Sequence, residues 1–297
     1  MRAMTAYLLV LVSAFFWGAN FVLAGPVLSG FPPLWAAAFR FLLGALLMFM
    51  IVRYRGEKLL HLLRQHAGVY LLLGLVGITA FNLLFFNALK TTSADSAALI
   101  MATNPLLTTL LAAVLLNEIP AARQLLALPV ALAGVAVVIS QGDMDRLAAL
   151  HFDRGDLLML AANVAWALYN VLIRRFMPKG SVLGNTTLVM GMGAVLLSLT
   201  ALVSSETLSS MPNMHSLIAL AIMAVGGTVL AYLFWNIGIE RLGAGRTAIF
   251  LNFVPVSAML VAALIGVLPT AAQLIGGALV LAGLSITMLP RRKSVLS

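Results

Sequence analysis

The chain has no cysteine among its 297 residues and very little charge. Without thiols, disulfides, thiolate metal sites and cysteine nucleophiles are all excluded. Charged residues make up 9% of the sequence, whereas soluble domains have about 25%. Because 62% of the residues are hydrophobic, lipid is the solvent for most of the chain. The composition therefore predicts an integral membrane protein.

Acidic and histidine side chains are missing from the middle of the apolar stretches. All nine acids and four histidines fall in predicted loops or at the ends of those stretches. An intramembrane enzyme would need a carboxylate dyad, a histidine and glutamate metal set or a serine with a base at that depth. We therefore expect no enzyme activity, no metal and no cofactor. The same absence leaves no group at mid-membrane to carry a proton.

Ten stretches are long enough, at about 20 residues, to cross a bilayer core about 30 Å thick. They lie near residues 4–24, 32–52, 67–89, 94–116, 122–141, 156–175, 182–203, 214–238, 244–267 and 270–289. Connections between them are short, so we expect no attached soluble domain. We interpret residues 4–24 as a permanent first span rather than a signal peptide, because the stretch is long and lacks a small-residue cleavage site.

The 18 Lys and Arg residues are distributed unequally between the two sides of these spans. Three lie on one side: Lys90, Arg146 and Arg154. Those on the other side are Arg2, Arg53, Arg55, Lys58, Arg64, Arg123, Arg174, Arg175, Lys179, Arg241, Arg246, Arg291, Arg292 and Lys293. By the positive-inside rule the richer side is cytoplasmic, which predicts a multi-pass protein of the cell inner membrane with both termini in the cytoplasm. The net charge of +9 is thus a topology signal, and nucleic acid is not an expected partner.

The chain contains one unit twice. Asn104-Pro105 and Val254-Pro255 are 150 residues apart in similar apolar surroundings, and Trp17 and Trp166 are 149 apart. We predict a first repeat at 1–141, a polar linker on the outer face at 142–155 and a second repeat at 156–297. Five spans per copy invert the second copy, which predicts an all-α membrane protein of ten helices in two inverted five-helix repeats. Many secondary transporters are built in this way.

Short motifs along the whole chain support a more specific assignment. They are Phe16-Trp17-Gly18-Ala19-Asn20-Phe21, Phe39-Arg40-Phe41, Asn87-Ala88-Leu89 leading to Asn104-Pro105, Asn117-Glu118, and Asn236-Ile237-Gly238 leading to Val254-Pro255. In this order they resemble the drug/metabolite transporter superfamily, specifically its EamA-type ten-helix exporters, and within them the bacterial amino-acid exporters of the YddG kind. The resemblance implies a basket of two inverted repeats, a central cavity walled by both, and alternating access.

Polar side chains deep in a bilayer are costly and usually face a bundle interior or a wet cavity. Four spans carry such side chains at helical spacing, and repeat symmetry would bring these stripes around one centre. The candidate cavity residues on them are Trp17, Asn20, Thr79, Asn82, Phe86, Asn163, Trp166, Tyr169, Asn170, Tyr232, Trp235 and Asn236. The alternatives are interfacial anchoring for the aromatic residues and interhelical hydrogen bonding for the Asn residues. Both tryptophans of the 149-residue pair lie too deep for an anchor belt.

Two further features lie inside predicted spans. Pro105 and Pro255 should kink their helices, and the carbonyls that the kinks free could bind substrate or be satisfied by neighbouring side chains. Asn104, a further candidate cavity residue, is placed for the second. Arg40 is the one deeply placed cation, at an insertion cost of about 2.5–3.5 kcal/mol. It could hold a substrate carboxylate or bond the backbone of a broken helix. Its repeat counterpart is Val189.

Small residues form a further pattern in spans 5 and 10. Ala127, Ala131 and Gly134 in one, and Gly276, Gly277 and Gly283 in the other, predict close helix packing, either between the repeats or in a dimer.

These observations predict an exporter of small amphipathic metabolites, most simply amino acids, acting as a monomer or weak homodimer in the bilayer. A phosphate-ester or nucleotide-sugar antiporter would want several cations in its cavity, and a small-multidrug proton antiporter would want an intramembrane glutamate. A receptor or scaffold would not call for an inverted repeat.

Transport should not depend on a pH gradient, because no carboxylate or imidazole is predicted at mid-membrane. The substrate's own gradient, or exchange, would drive the carrier. Flux into sealed vesicles should persist when the pH gradient is collapsed with an ionophore; strict dependence on that gradient would contradict the prediction.

Overall fold

A computed structural model describes residues 3–92, 94–143, 145, 148, 153–207 and 212–288. Ten of the described segments are helical, long enough and apolar enough to cross a membrane, which confirms the ten predicted spans. Several cations used above to orient the chain, namely Arg2, Arg146 and residues 291–293, lie outside the described residues. So does half of the predicted linker, and the boundaries of the two repeats stay a prediction.

All ten spans are helical, but four of them contain a short turn or a segment of another helix type between their α-helical parts. Spans 1 to 5 are Ala3–Leu28; Pro33–Tyr54; Leu59–Gly74 continuing through Leu75–Ala80 and Phe81–Ala88; Ala94–Ala102 followed by Asn104–Leu116; and Ala122–Ser140. Spans 6 to 10 are Arg154–Phe176; Val182–Val203; Met214–Ile222 continuing through Met223–Leu230 and Ala231–Leu242; Ala244–Ala248 followed by Ile249–Asn252 and Phe253–Leu264; and Ala271–Met288.

Span 3 begins earlier than predicted. Its helix starts at Leu59 rather than near residue 67, so His61 and His66 lie in a helix and not in a loop. Leucines 59, 62 and 63 are turned towards the core at helical spacing, which explains why this polar stretch is helical. The helix is kinked at His66, whose φ of −129° and ψ of 24° are not helical.

Helices of the two repeats interlock rather than forming separate bundles. Span 1 packs on spans 8 and 9, and its counterpart, span 6, packs on spans 3 and 4. Span 2 packs on span 7, and span 5 on span 10. Each contact between repeats therefore has a symmetry mate, as expected when two five-span units face each other in opposite directions.

Spans 5 and 10 meet through backbone atoms. A Cβ added to Gly134 would lie 2.6 Å from the Gly276 carbonyl oxygen, and one added to Gly276 would lie 2.7 Å from that of Gly134. Gly283 is equally close to Ala131. The small-residue faces of spans 5 and 10 therefore pack against each other, between the repeats, and not against a second copy of the chain. Only Gly277 differs, since it faces Met259 of span 9.

Spans 3 and 8 each contain a π-helical segment, Leu75–Ala80 and Met223–Leu230, which the sequence analysis missed. The hydroxyl of Thr79 donates to the Gly74 carbonyl and that of Thr228 to the Met223 carbonyl, both at 3.3 Å and both reaching five residues back. Single π-helical turns are often found at functional sites. Because the two segments occupy equivalent positions in the two repeats, they point to a functional region at this depth of the fold.

Two glutamates 149 residues apart connect the repeats at opposite ends of the fold. Glu206 accepts a hydrogen bond of 2.8 Å from the backbone N–H of Leu34, in the first turn of span 2. Glu57 accepts one of 2.9 Å from the Ser181 hydroxyl, which caps the first turn of span 7. Each repeat therefore supplies a carboxylate to a helix N-terminus of the other, where negative charge is stabilising.

Replacing Gly134 by Ala should lower the stability of the detergent-solubilised protein by about 1–3 kcal/mol, because the new methyl group overlaps the backbone of span 10. Thermal unfolding followed by fluorescence-detected gel filtration measures the change. Gly191→Ala is the matched control, since a Cβ at this helical position would meet no heavy atom within 4 Å. Equal melting temperatures for the two variants would contradict the backbone contact.

Candidate functional site

Span 4 is interrupted by a single turn residue, Thr103, beside Asn104-Pro105. Its first helix ends at Ala102 and a second begins at Asn104, so Pro105 occupies a first helical turn. Pro255 likewise follows a short 3₁₀ turn, Ile249–Asn252. Proline is tolerated in a first turn because its missing N–H has no partner there in any case. The predicted kinks thus fall where the α-helix is locally interrupted, by a turn in span 4 and a 3₁₀ segment in span 9; these two equivalent places are called breaks below.

The carbonyl freed by the first break is satisfied from another helix. The Ile100 oxygen accepts hydrogen bonds from the Thr103 hydroxyl at 2.6 Å and from the Asn163 side chain of span 6 at 2.7 Å. Asn104, to which the sequence analysis gave this role, instead donates to the backbone oxygen of Asn163 at 2.9 Å and to its Oδ1 at 2.6 Å. The Thr103 backbone N–H also donates to the Ile100 oxygen at 3.1 Å, so Asn163 ties the break to span 6 and shares its support with Thr103.

A chain of hydrogen bonds leads from this break across three spans. Thr108 donates to Asn104 Oδ1 at 3.0 Å, and Asn170 donates to the Thr108 hydroxyl at 3.5 Å. The Trp235 indole N–H then donates to Asn170 Oδ1 at 2.8 Å. Spans 4, 6 and 8, which belong to both repeats, are joined in this way.

The break in span 9 lacks such a partner. Asn252 is 1% exposed, and its Oδ1 and Nδ2 have no hydrogen-bond partner within the described part of the chain. With the 149-residue offset, the counterpart of Asn163 is Ala14, which has no polar group. The two breaks thus share their position but not their hydrogen bonding.

At its far end the hydrogen-bond chain reaches an aromatic cluster, which consists of Trp17, Trp166, Tyr169, Tyr232 and Trp235. The Trp17 ring centroid lies 5.3 Å from that of Trp166 and 4.9 Å from that of Trp235. The Trp166 centroid lies 5.2 Å from Tyr169 and 5.7 Å from Tyr232. Three of the four predicted stripes, those of spans 1, 6 and 8, therefore meet at one centre, as repeat symmetry suggested.

Two phenylalanines extend the cluster and were missed by sequence reasoning. The Phe81 ring lies 5.2 Å from Trp166, and the Phe41 ring lies 5.5 Å from Tyr232. Both are next to predicted residues in the sequence, Phe81 to Asn82 and Phe41 to Arg40. In an apolar span, however, nothing distinguishes a phenylalanine that faces the centre from one that faces lipid.

Arg40 lies beside the aromatic cluster and forms no ion pair with any described residue. Its Nη2 reaches Asn82 Oδ1 at 3.5 Å, and its guanidinium carbon lies 4.8 Å from the centre of the Phe41 ring. Asn82 uses its own amide N–H to bond the Ile78 carbonyl at 2.7 Å. The ion pairs formed by described residues, Arg174 with Glu118 and Arg241 with Glu240, lie elsewhere.

Four buried polar atoms around the centre have no hydrogen-bond partner among the residues described. They are Arg40 Nε, Trp166 Nε1, the Tyr169 hydroxyl and Asn236 Oδ1. Asn236 uses its N–H to bond Thr186 at 3.0 Å, which leaves its oxygen free. An unsatisfied buried group costs about 1–3 kcal/mol, so a ligand that supplies the missing partners gains that much at each. The set contains three donors and one clear acceptor.

The remaining candidate residues lie around this centre in different ways. The Asn20 side chain packs on the backbone of Gly227 in one π-helical segment, as the Tyr169 ring packs on Gly77 in the other. The Thr79 hydroxyl is directed within span 3 and towards span 7, and the Phe86 ring contacts Phe85. Their contact with substrate, like that of every candidate residue, stays a prediction.

Removing the Asn163 side chain should remove its hydrogen bonds to the Ile100 carbonyl and the Thr103 hydroxyl, and one of the two acceptors of the Asn104 amide. Asn163→Ala is therefore expected to destabilise the protein by about 1–3 kcal/mol, read as a lower melting temperature in detergent. Asn87→Ala is the control, because that exposed amide only bonds its own helix and a nearby lysine. If both variants melt together, Asn163 does not hold the break.

Comparison with known proteins identifies the family. The family model described as the EamA-like transporter family matches residues 4–140 and again 153–289. The chain is 40% identical to an uncharacterized transporter, YyaM, of Bacillus subtilis, over 95% of this chain and 93% of the relative. It is 29% identical to a probable amino-acid metabolite efflux pump of Salmonella typhimurium, over 94% and 93%.

A solved crystal structure with 24% sequence identity superposes with a TM-score of 0.81 and covers 96% of this chain and 97% of its own, which shows the same fold. The repeated match, the ten spans and the interlocked packing agree: this chain is a multi-pass membrane protein that belongs to the EamA-like transporter family.

Proposed function

We propose that this transporter exports small amphipathic metabolites, with neutral amino acids, the aromatic ones included, as its substrates. The observation that carries the proposal is the aromatic cluster with four unpaired buried polar groups around it. Ligand sites are mostly apolar with a few placed polar groups, and this combination fits a molecule with one apolar and one charged end.

The polar groups suit the two charges of an amino acid. The Arg40 guanidinium presents planar donors that match a carboxylate, and the Trp166 indole N–H and the Tyr169 hydroxyl can donate beside it. Asn236 Oδ1 is an acceptor for an ammonium group. The half-buried Trp17 ring offers apolar surface to the side chain, and its face attracts cations. The name of the Salmonella typhimurium relative supports the same substrate class.

The fold supports alternating access by a monomer. Spans 4 and 9 both have a local interruption of the α-helix, and span 4 packs on span 6 of the other repeat as span 9 packs on span 1. In transporters built from inverted repeats, substrate binds near interruptions of this kind. The small faces of spans 5 and 10 are used within the chain, so they are not free for a dimer. The distribution of Lys and Arg favours the cell inner membrane with both termini in the cytoplasm.

Other substrates of the superfamily fit less well. A phosphate ester or nucleotide sugar carries two negative charges, whereas Arg40 is the one cation of the candidate site. A lipophilic cation would find the aromatic rings but would be repelled by Arg40. A transporter is not expected to be an enzyme, and the family assignment supports this view.

Arg40→Gln should reduce phenylalanine flux at least tenfold, because the carboxylate loses its charged partner. The measurement is counterflow of labelled phenylalanine in proteoliposomes. Wild-type protein should also discriminate at least tenfold against phenylalaninol, which lacks the carboxylate, since a site built to bond a group rejects the analogue without it. The Arg40→Gln variant should lose this discrimination.

Lys179→Gln removes an exposed loop cation and is the charge-matched control, expected to behave as wild type. The melting temperature separates binding from folding: the variant must remain folded for its flux to be compared. If Arg40→Gln folds and still prefers phenylalanine over phenylalaninol, Arg40 does not bind the carboxylate.

A further inference from the structure

A basic segment, residues 53–66, consists of the end of span 2, the start of span 3 and the connection between them, on the side predicted to be cytoplasmic. Its cations are all exposed: Arg53, Arg55, Lys58 and Arg64. Its one acid, Glu57, is turned inward to the Ser181 hydroxyl of the other repeat. The exposed charge of the segment is therefore positive only.

The segment also presents apolar groups at the same level. Tyr54, the last residue of span 2, is 93% exposed, and Leu60 is 60% exposed. Leu60 and Arg64 are one helical turn apart and share the outward face of the helix, while Leu59 is buried beneath it. An exposed tyrosine at the end of a span and a leucine beside an arginine are typical of the membrane interface.

The kink at His66 separates this helical turn from the part of span 3 that crosses the membrane. The turn is held against the core by Leu59, Leu62 and Leu63, so its outward face has a fixed position. The exposed cations on that face are attracted to anionic lipid headgroups.

The second repeat provides an internal comparison. The equivalent stretch, residues 202–215, keeps the glutamate as Glu206 and the histidine as His215, but it contains no Lys or Arg. The glutamate contact between repeats therefore does not require the cations. The positive-inside rule explains why this side of the membrane has cations. It does not explain why the cations share one face with exposed apolar side chains.

We propose that the basic segment binds the headgroups of anionic phospholipids in the cytoplasmic leaflet. Arg55, Lys58 and Arg64 contact the lipid phosphates, and Tyr54 and Leu60 insert among the headgroups and acyl chains. Each cation near an anionic surface contributes roughly fivefold in binding, so three together amount to about 10²-fold.

The test uses the detergent-solubilised full-length protein and native mass spectrometry. Dioctanoyl phosphatidylglycerol is titrated as the anionic probe, dioctanoyl phosphatidylcholine as the zwitterionic one and inorganic phosphate as the free anion. We expect saturable binding of phosphatidylglycerol and, at the same concentrations, no saturable binding of phosphatidylcholine or phosphate. The triple variant Arg55→Gln/Lys58→Gln/Arg64→Gln should weaken phosphatidylglycerol binding at least 20-fold.

A second triple variant, Arg291→Gln/Arg292→Gln/Lys293→Gln, removes the same charge elsewhere and should change the affinity less than twofold. Equal losses in both variants, or phosphatidylglycerol binding that survives in the first, would overturn the proposal. Saturable phosphate binding would show an anion site and would also overturn it. Because the chain has no cysteine, a single cysteine replacing Ser297 reports by labelling whether each variant keeps its orientation.

Discussion

The break in span 4 depends on one hydrogen-bonding arrangement, in which Asn163 donates to the carbonyl of Ile100. In a bilayer no water can satisfy a freed backbone group, so an irregular turn persists only where the protein supplies the partner. The same side chain accepts from Asn104 and so joins span 6 to span 4. From Asn104, hydrogen bonds through Thr108 and Asn170 lead to Trp235 and the aromatic cluster. The hydrogen bonds of Asn163 thus connect the irregular turn of span 4 to the candidate site.

The two repeats share their architecture but differ in polarity. Both have a π-helical segment, a broken span and a tryptophan at matched positions, which makes the framework symmetric. Arg40 faces the centre from the first repeat, whereas the matching residue of the second is Val189. Asn163 satisfies one break, whereas Ala14 lies at the matching place of the other. A symmetric framework suits motion between two equivalent states, and the unequal side chains give the site a charged and an apolar end.

Much of the fold could be predicted from the sequence, because its signals are long range and coarse. A largely apolar sequence still shows the length of each span, the repeat of Trp17 at Trp166 and the paired prolines. Which face of each helix points to the centre could not be predicted, because spans surrounded by lipid are hydrophobic on every face and carry little periodic pattern. Phe81 and Phe41 were missed for that reason. The exchange of roles between Asn104 and Asn163 depends on tertiary contacts that no local pattern encodes.

The contact between Gly134 and Gly276 restricts how such a molecule can move. Helices that touch through side chains can slide by changing rotamers, but helices that touch through backbone atoms have no soft layer between them. Spans 5 and 10, one from each repeat, therefore behave as a single rigid post. In the alternating access proposed above, the remaining eight helices would turn about this pair, and the glycine contact would lie on the axis of the motion.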